Sequence, residues 1–309
     1  MVDQPINELF SRFRVDNILA EAGYRKAMLL AKSHYENFPV VSFLIKKELR
    51  NDVAILYWFG RTADDIADEG KFSPDERLER LNSFEKSFLQ MLNQEPVTAF
   101  DAALKKTMLK HNLNPKLFLD LLSAFRQDIT RHRYATLEEL LDYARRSADP
   151  VGRLMLGLYH IDSPEALMAS DAVCTGLQLV NFAQDISIDH NKGRIYIPGE
   201  YMEVYGITEK DFERGKDSEK FSMMLRDFCS VPRTLLDKGG DILPHLSGLF
   251  KLEIAWTILG GLEILDKLRK SNFCIFNERP KLNYFGFIHL LLRSFFYARA
   301  QRKRNREKE

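Results

Sequence analysis

Two stretches of this chain set acids, amides and bases at spacings that suit binding of a hard cation and a phosphate group. The first runs Tyr57-Trp58-Phe59-Gly60-Arg61-Thr62-Ala63-Asp64-Asp65-Ile66-Ala67-Asp68. On a helix, Tyr57, Arg61, Asp64 and Asp68 share one face, with Asp65 beside them. The second runs Gln178-Leu179-Val180-Asn181-Phe182-Ala183-Gln184-Asp185-Ile186-Ser187-Ile188-Asp189; its Gln178, Asn181, Asp185 and Asp189 fall on one face, and Lys192 and Arg194 follow. Acids one turn apart repel. The apolar residues around the first set (Val53, Ile55, Leu56, Trp58, Phe59) draw it toward a core, where unneutralised carboxylates are unfavourable. Oxygen-only ligands suit magnesium, which completes its shell with water and substrate phosphate. Arg61, Lys192 and Arg194 then read as holding a diphosphate, and the cation as stabilising charge on that group as it departs. The competing reading of either stretch is a solvated acidic face; two such stretches, each flanked by bases, favour a site.

The elements that must position these residues are helices. Ser73-Pro74-Asp75-Glu76 sets a capping serine before a proline at the first helical position, and Asn114-Pro115 and Ser163-Pro164-Glu165 repeat the arrangement. Thr136 with Glu139 reads as a capping box. Apolar residues recur between these starts at helical spacing, as in Leu117, Leu121, Leu122 and Phe125. The pattern predicts helices over 18–33, 40–69, 74–93, 96–111, 115–132, 136–159, 163–189, 217–238, 250–271 and 284–304. An irregular segment from His190 to Gly206, holding Asn191-Lys192-Gly193-Arg194 and Ile197-Pro198-Gly199, has the length of a functional loop. No linker or repeat divides the chain. It reads as one all-α domain over 1–283, followed by an apolar C-terminal helix with a basic tail over 284–309.

Composition sets bounds. With 45 basic and 44 acidic residues among 309, no global field recruits nucleic acid. Three dispersed cysteines form no metal or disulfide pattern, which suits a reducing cytoplasm. The N-terminus, charged throughout, lacks the apolar stretch of a signal peptide, and no apolar run is expected to approach the length that spans a bilayer.

At the two acidic stretches the sequence resembles the squalene/phytoene synthase family. Tyr57, Arg61, Asp64, Asp65 and Asp68 match that family's first motif. Asp185 and Asp189, followed by Gly193-Arg194-Ile195-Tyr196-Ile197-Pro198, match the second. Leu49-Arg50, Asp128 with Arg133-Tyr134, and Tyr143 ahead of Val151-Gly152 extend the likeness over residues 24 to 280. It implies a single-domain, all-α isoprenoid-synthase fold with a central active-site cavity and a cluster of about two or three magnesium ions. Departures from the general pattern occur at Ile188, at the Tyr143–Gly152 segment and around Gly260-Gly261-Leu262. With Ser33-His34-Tyr35-Glu36-Asn37-Phe38-Pro39-Val40, these look like the hydroxysqualene synthase branch of the bacterial hopanoid pathway. That branch ionises presqualene diphosphate and lets water capture the rearranged cation. It needs no nicotinamide cofactor, in keeping with the absence of a GxGxxG fingerprint here.

The resemblance assigns Asp64, Asp65, Asp68, Asp185 and Asp189 to the metal, and Arg50, Arg61, Lys192 and Arg194 to diphosphate. Arg50 and Lys192 read equally as surface salt bridges. Tyr57 and Tyr143 are expected to offer ring faces to a carbocation, the other reading of Tyr143 being core. Gln178 and Asn181 would orient water, or else be buried amides satisfied by backbone. His34 reads as a structural hydrogen-bonder, and Arg145 and Arg146 as surface charges or further diphosphate ligands. A condensing enzyme that joins two farnesyl or geranylgeranyl diphosphates, and a non-catalytic partner subunit, are the alternative functions. A sister synthase and a dehydroxylase are the partners the pathway implies. The apolar segment from Tyr284 to Tyr297 runs into Arg299, Arg302, Lys303, Arg304 and Arg306, which suits either packing on the domain or peripheral contact with the inner face of the membrane.

Overall fold

The computed structural model describes residues 15–33, 43–276, 279–282 and 284–306. His34, Phe38 and the rest of the segment to Val40, like the N-terminal stretch to Arg14, lie outside these residues. Helices account for the architecture, and no strand occurs among the described residues. The chain divides into two compact units, one from 1–130 with 153–162 and one from 131–152 with 163–309.

The first unit contains α1 (Asn17–Ser33), α2 (Arg50–Asp68), α3 (Pro74–Asn93), α4 (Ala99–His111) and α5 (Pro115–Thr130). α2 packs on the other four, and its buried face (Val53, Ile55, Phe59, Ala63, Ala67) repeats at helical spacing. Phe59 sits among the rings of Phe84, Phe88 and Phe118 at centroid distances of 5.2, 5.3 and 5.0 Å. Ser73 accepts from the Glu76 amide while the Glu76 carboxylate accepts from the Ser73 amide, a complete capping box that starts α3 where the proline predicts it. At the other end of α3 the buried Lys105 ammonium donates to the carbonyls of Met91, Leu92 and Gln94 at 2.8, 3.4 and 2.7 Å. A cation there satisfies the last carbonyls of the helix and meets the negative end of its dipole.

On the far side of α2 from the acids, a buried polar network joins three helices. Asp52, 2% exposed, accepts from Thr107 Oγ1 at 2.8 Å, Lys110 Nζ at 2.7 Å and His111 Nε2 at 3.0 Å. The Tyr24 hydroxyl lies 2.9 Å from Thr107 Oγ1 and donates to Asp52 at 3.5 Å. Burial pulls the His111 imidazole below its ordinary pKa, against the opposing pull of Asp52.

The second unit contains α6 (Leu137–Ser147), α8 (Pro164–Gln184), α9 (Ile186–Asn191), α10 (Gly199–Tyr205), α11 (Glu209–Arg214), α12 (Glu219–Gly239), α13 (Gly248–Lys270) and α14 (Tyr284–Arg306). α7 (Asp149–Leu158) begins in this unit and continues in the other. α8 is the central element, packed on α6, α12 and α13. It is 21 residues long and apolar enough by composition to cross a membrane, contrary to the expectation that no run approaches that length. Its apolarity has a local cause: Ala166, Val173, Leu179, Val180 and Ala183 are all buried by neighbouring helices. Burial pushes the Cys174 and Cys229 thiols up to about 12, which leaves them as inert packing groups.

Several boundaries differ from the periodicity. α2 starts at Arg50 rather than at 40, because Phe43, Leu44 and Ile45 form a turn and Lys47–Leu49 a 3₁₀ turn. The stretch 136–159 breaks at Ala148 and the stretch 163–189 at Asp185. The segment expected to be irregular from His190 to Gly206 includes the end of α9 and all of α10. The Thr136 hydroxyl accepts from the Glu139 amide, but Glu139 reaches back to the Ala135 amide instead of closing the capping box on Thr136.

Candidate active site

The first acidic group occupies the last two turns of α2. Its apolar face is buried, which leaves Tyr57, Arg61, Asp64, Asp65 and Asp68 half-buried along the other side, as the spacing predicts. Arg61 Nη1 lies 3.3 Å from Asp64 and its Nη2 2.6 Å from Asp65. Partial burial works against the Arg61 charge, but Asp64 and Asp65 outweigh it and raise the guanidinium pKa above its ordinary value. Arg61 therefore stays a cation at any working pH.

The end of α2 is fixed by a residue the sequence did not single out. Arg77 Nη1 donates to the carbonyls of Ile66, Ala67 and Glu69 at 3.2, 2.8 and 3.0 Å, and Nη2 to Gly70 at 2.8 Å. Its Nε adds a bond to the Phe72 carbonyl at 3.2 Å. One guanidinium thus closes the helix that carries the acids and the turn after it, where Gly70 adopts φ 77°. Arg77→Lys keeps the charge but not the planar fork. We expect it to destabilise the protein by about 1–3 kcal/mol, nearly as much as Arg77→Ala, and to lower turnover with it. A lysine variant matching the parent in thermal melting and rate would sink this assignment.

Arg50 donates Nε to the Ile45 carbonyl at 3.2 Å and Nη2 to the Phe43 carbonyl at 3.3 Å. It shapes the turn that leads into α2, a use neither sequence reading anticipated.

The second acidic group straddles the break between α8 and α9. Gln178 and Asn181 are half-buried on α8, and Asp185 ends that helix with its amide donating to the Asn181 carbonyl at 2.8 Å. Asp185 adopts φ −106° and ψ 16°, so the face predicted for one continuous helix is bent at this residue. The Asp189 amide still reaches the Asp185 carbonyl at 2.8 Å, which keeps the two acids one turn apart. Arg279 explains why the carboxylate is stable there. It donates Nε to one Asp185 oxygen and Nη2 to the other at 3.0 Å, the bidentate geometry in which arginine pairs most strongly. Beside it, Gln184 Nε2 donates to the Pro280 carbonyl. Both contacts join positions far apart in sequence, and no local signal could have found Arg279.

Gly193, at φ 76°, terminates α9 in the left-handed conformation. The residues after it run beside 132–135. The Ile195 amide donates to the His132 carbonyl at 3.0 Å and the Gly199 amide to Tyr134 at 2.8 Å. Arg133 clamps this pairing, donating to the Gly193 carbonyl at 2.6 Å and to both Glu209 oxygens at 2.7 and 2.9 Å. Lys192 is exposed and Arg194 half-buried within the segment. Tyr143 is buried in a ring cluster with Tyr134, Phe182 and Tyr196, where Phe182 and Tyr196 stack at 3.9 Å. Arg146 and Arg145 both pair with Asp142, at 2.9 and 3.3 Å, and hold its carboxyl below the ordinary carboxylate range.

Among the described residues, no three His, Cys, Asp or Glu side chains already form a ligand cluster. Each acidic group instead has a guanidinium against it, Arg61 in the first and Arg279 in the second. Half-buried carboxylates offering oxygen atoms alone fit a hard divalent ion that draws the rest of its shell from water and phosphate.

The squalene/phytoene synthase family model matches residues 31–285, and the chain belongs to that family. It is 34% identical over 234 residues to the hydroxysqualene synthase of Sinorhizobium fredii, covering 75% of this chain and 78% of the relative. It is 40% identical over 217 residues to the hydroxysqualene synthase of Zymomonas mobilis, covering 69% and 72%. The crystal structure of squalene synthase HpnC from Alicyclobacillus acidocaldarius superposes with a TM-score of 0.78 at 32% identity, over 84% of this chain and 97% of that one. The all-helical fold and the family expected from the two acidic stretches are both borne out.

Proposed function

We propose that this chain is a magnesium-dependent hydroxysqualene synthase that converts presqualene diphosphate and water to hydroxysqualene and diphosphate. The observation that carries the reading is the 34–40% identity to relatives bearing that activity in their names, over 66–75% of this chain and 69–78% of each relative. The chemistry of the acidic groups supports it. Asp64, Asp65 and Asp68 in the first group and Asp185 and Asp189 in the second would hold magnesium, which when bound supplies Lewis-acid stabilisation of the departing diphosphate. Arg61, Lys192 and Arg194 bind diphosphate oxygens, and Arg50 sets the entry to α2 as well as adding charge. As the carbon–oxygen bond to diphosphate breaks, the substrate becomes a cyclopropylcarbinyl cation and rearranges. Tyr57 offers a ring face to that cation, and Tyr143 acts from within its aromatic cluster. Gln178 and Asn181 orient the water whose oxygen forms the new bond and whose proton is lost. No electrons are exchanged, so no nicotinamide cofactor is required.

The Alicyclobacillus relative carries the name squalene synthase, which keeps condensation of two farnesyl diphosphates as the second reading. Purified protein with magnesium and no nicotinamide should turn presqualene diphosphate into hydroxysqualene, with one oxygen taken from isotopically labelled water. Consumption of farnesyl diphosphate alone would replace this reading with the condensing one.

A further inference from the structure

The last helix carries a feature the proposed chemistry does not use. The buried side of α14, with Leu290 and Ser294, packs on α13 and on the 3₁₀ turn Gly240–His245. Trp256 Nε1 donates to the Phe287 carbonyl at 3.2 Å, and Arg293 reaches Glu263 at 3.5 Å. The opposite side displays Ile288, Leu292, Phe295 and Phe296, which are 44, 58, 54 and 74% exposed. Steps of four, three and one residues place them on one stripe, and the exposed Arg299 continues it. Scattered apolar residues such as Ile18 and Val97 are ordinary on a protein surface. A continuous stripe with two adjacent phenylalanines marks a surface that is normally covered.

The charges say what covers it. Between Tyr284 and Arg306 the sequence has no Asp or Glu, while Arg293, Arg299, Arg302, Lys303, Arg304 and Arg306 are all cationic. A second copy of this helix laid on the first would bring like charges together. An anionic lipid surface accepts both parts: the apolar stripe enters the acyl boundary and the basic end meets the headgroups.

We propose that α14 is a membrane-surface helix that docks the protein on anionic lipid through Ile288, Leu292, Phe295 and Phe296. Its purpose rests on the proposed function, since a long isoprenoid substrate partitions into a bilayer, but the docking itself is read without substrate. The experiment floats the full chain with vesicles of phosphatidylcholine alone or with about 30% phosphatidylglycerol added. It uses the parent, the triple variant Leu292→Gln, Phe295→Gln, Phe296→Gln, and the quadruple variant Arg302→Gln, Lys303→Gln, Arg304→Gln, Arg306→Gln. The parent should float with anionic vesicles and much less with neutral ones, and each variant's partitioning should fall roughly tenfold or more, with unchanged melting curves. A parent that ignores lipid charge, or variants that float as it does, would overturn the proposal. So would a triple variant that turns a dimer into a monomer in sedimentation while floating normally, because the stripe would then be a subunit interface. Hydroxysqualene formation is measured separately, so loss of docking leaves the catalytic reading standing, and loss of the catalytic reading leaves docking standing.

Discussion

Asp64→Asn and Asp185→Asn should each lower turnover of presqualene diphosphate by about a thousandfold while leaving the fold intact. The magnitude follows from removing one ligand of a cation that stabilises the departing group by several kcal/mol. The fold should survive because each change leaves the facing guanidinium at least one acceptor. Arg61 keeps Asp65 at 2.6 Å when Asp64 is neutralised, and Arg279, which bonds both Asp185 oxygens, keeps one of those two bonds to the amide oxygen. A second readout separates a binding defect from a chemical one. Magnesium with inorganic diphosphate should raise the melting temperature of the parent, since a ligand that binds only the folded state stabilises it. Both variants should lose most of that rise. Normal turnover in either variant, or an undiminished rise in both, would remove these acids from the site.

The second large effect concerns stability. Asp52→Ala should destabilise the protein by about 3–5 kcal/mol in urea unfolding, the range for stripping one partner from a buried charged network. Thr107, His111 and Tyr24 would each lose an acceptor in a region closed to water, and Lys110 its counter-ion. The same network makes stability depend on pH. Because burial first, opposed by Asp52, leaves the His111 pKa below its ordinary value, the unfolded chain takes up a proton before the folded one does. Stability is therefore full above the ordinary histidine range and is lost as pH falls through about 6.5 toward the lower folded value. A loss below about 1 kcal/mol in the alanine variant would mean that the network contributes order without strength.

What the sequence disclosed and what it hid follow from how far apart the interacting groups lie. The starts of α3, α6 and α8 were legible because a capping side chain and the amide it serves are three residues apart, as in Ser73 with Glu76 and Ser163 with Ala166. The face Tyr57–Arg61–Asp64–Asp68 was legible for the same reason. The break at Ala148 had a signal in Pro150, two residues on, that the running apolar period masked, while Asp185 carries no proline or glycine and the period runs on through it. The helical pattern upstream of α2 continued through Phe43 to Ile45, yet the carbonyls of Phe43 and Ile45 go to the Arg50 guanidinium and these three residues turn. Arg279 on Asp185 and Arg133 on Glu209 join residues 94 and 76 positions apart, where pattern gives no purchase. Arg77 lies only ten residues from Ala67, but an arginine in the first turn of an amphipathic helix reads as ordinary surface charge until its carbonyl partners are seen.

Both acidic groups stand at the C-terminal ends of long helices, Asp64, Asp65 and Asp68 at the close of α2 and Asp185 at the close of α8. That is the wrong pole for an anion: a carboxylate there opposes the helix dipole by roughly 0.3–1 kcal/mol. Amides would ease that opposition, whereas a lysine would set a second cation against Arg61 or Arg279. Engineering that optimises charge against the helix dipole would therefore be drawn to them first, and would remove the chemistry along with the opposition.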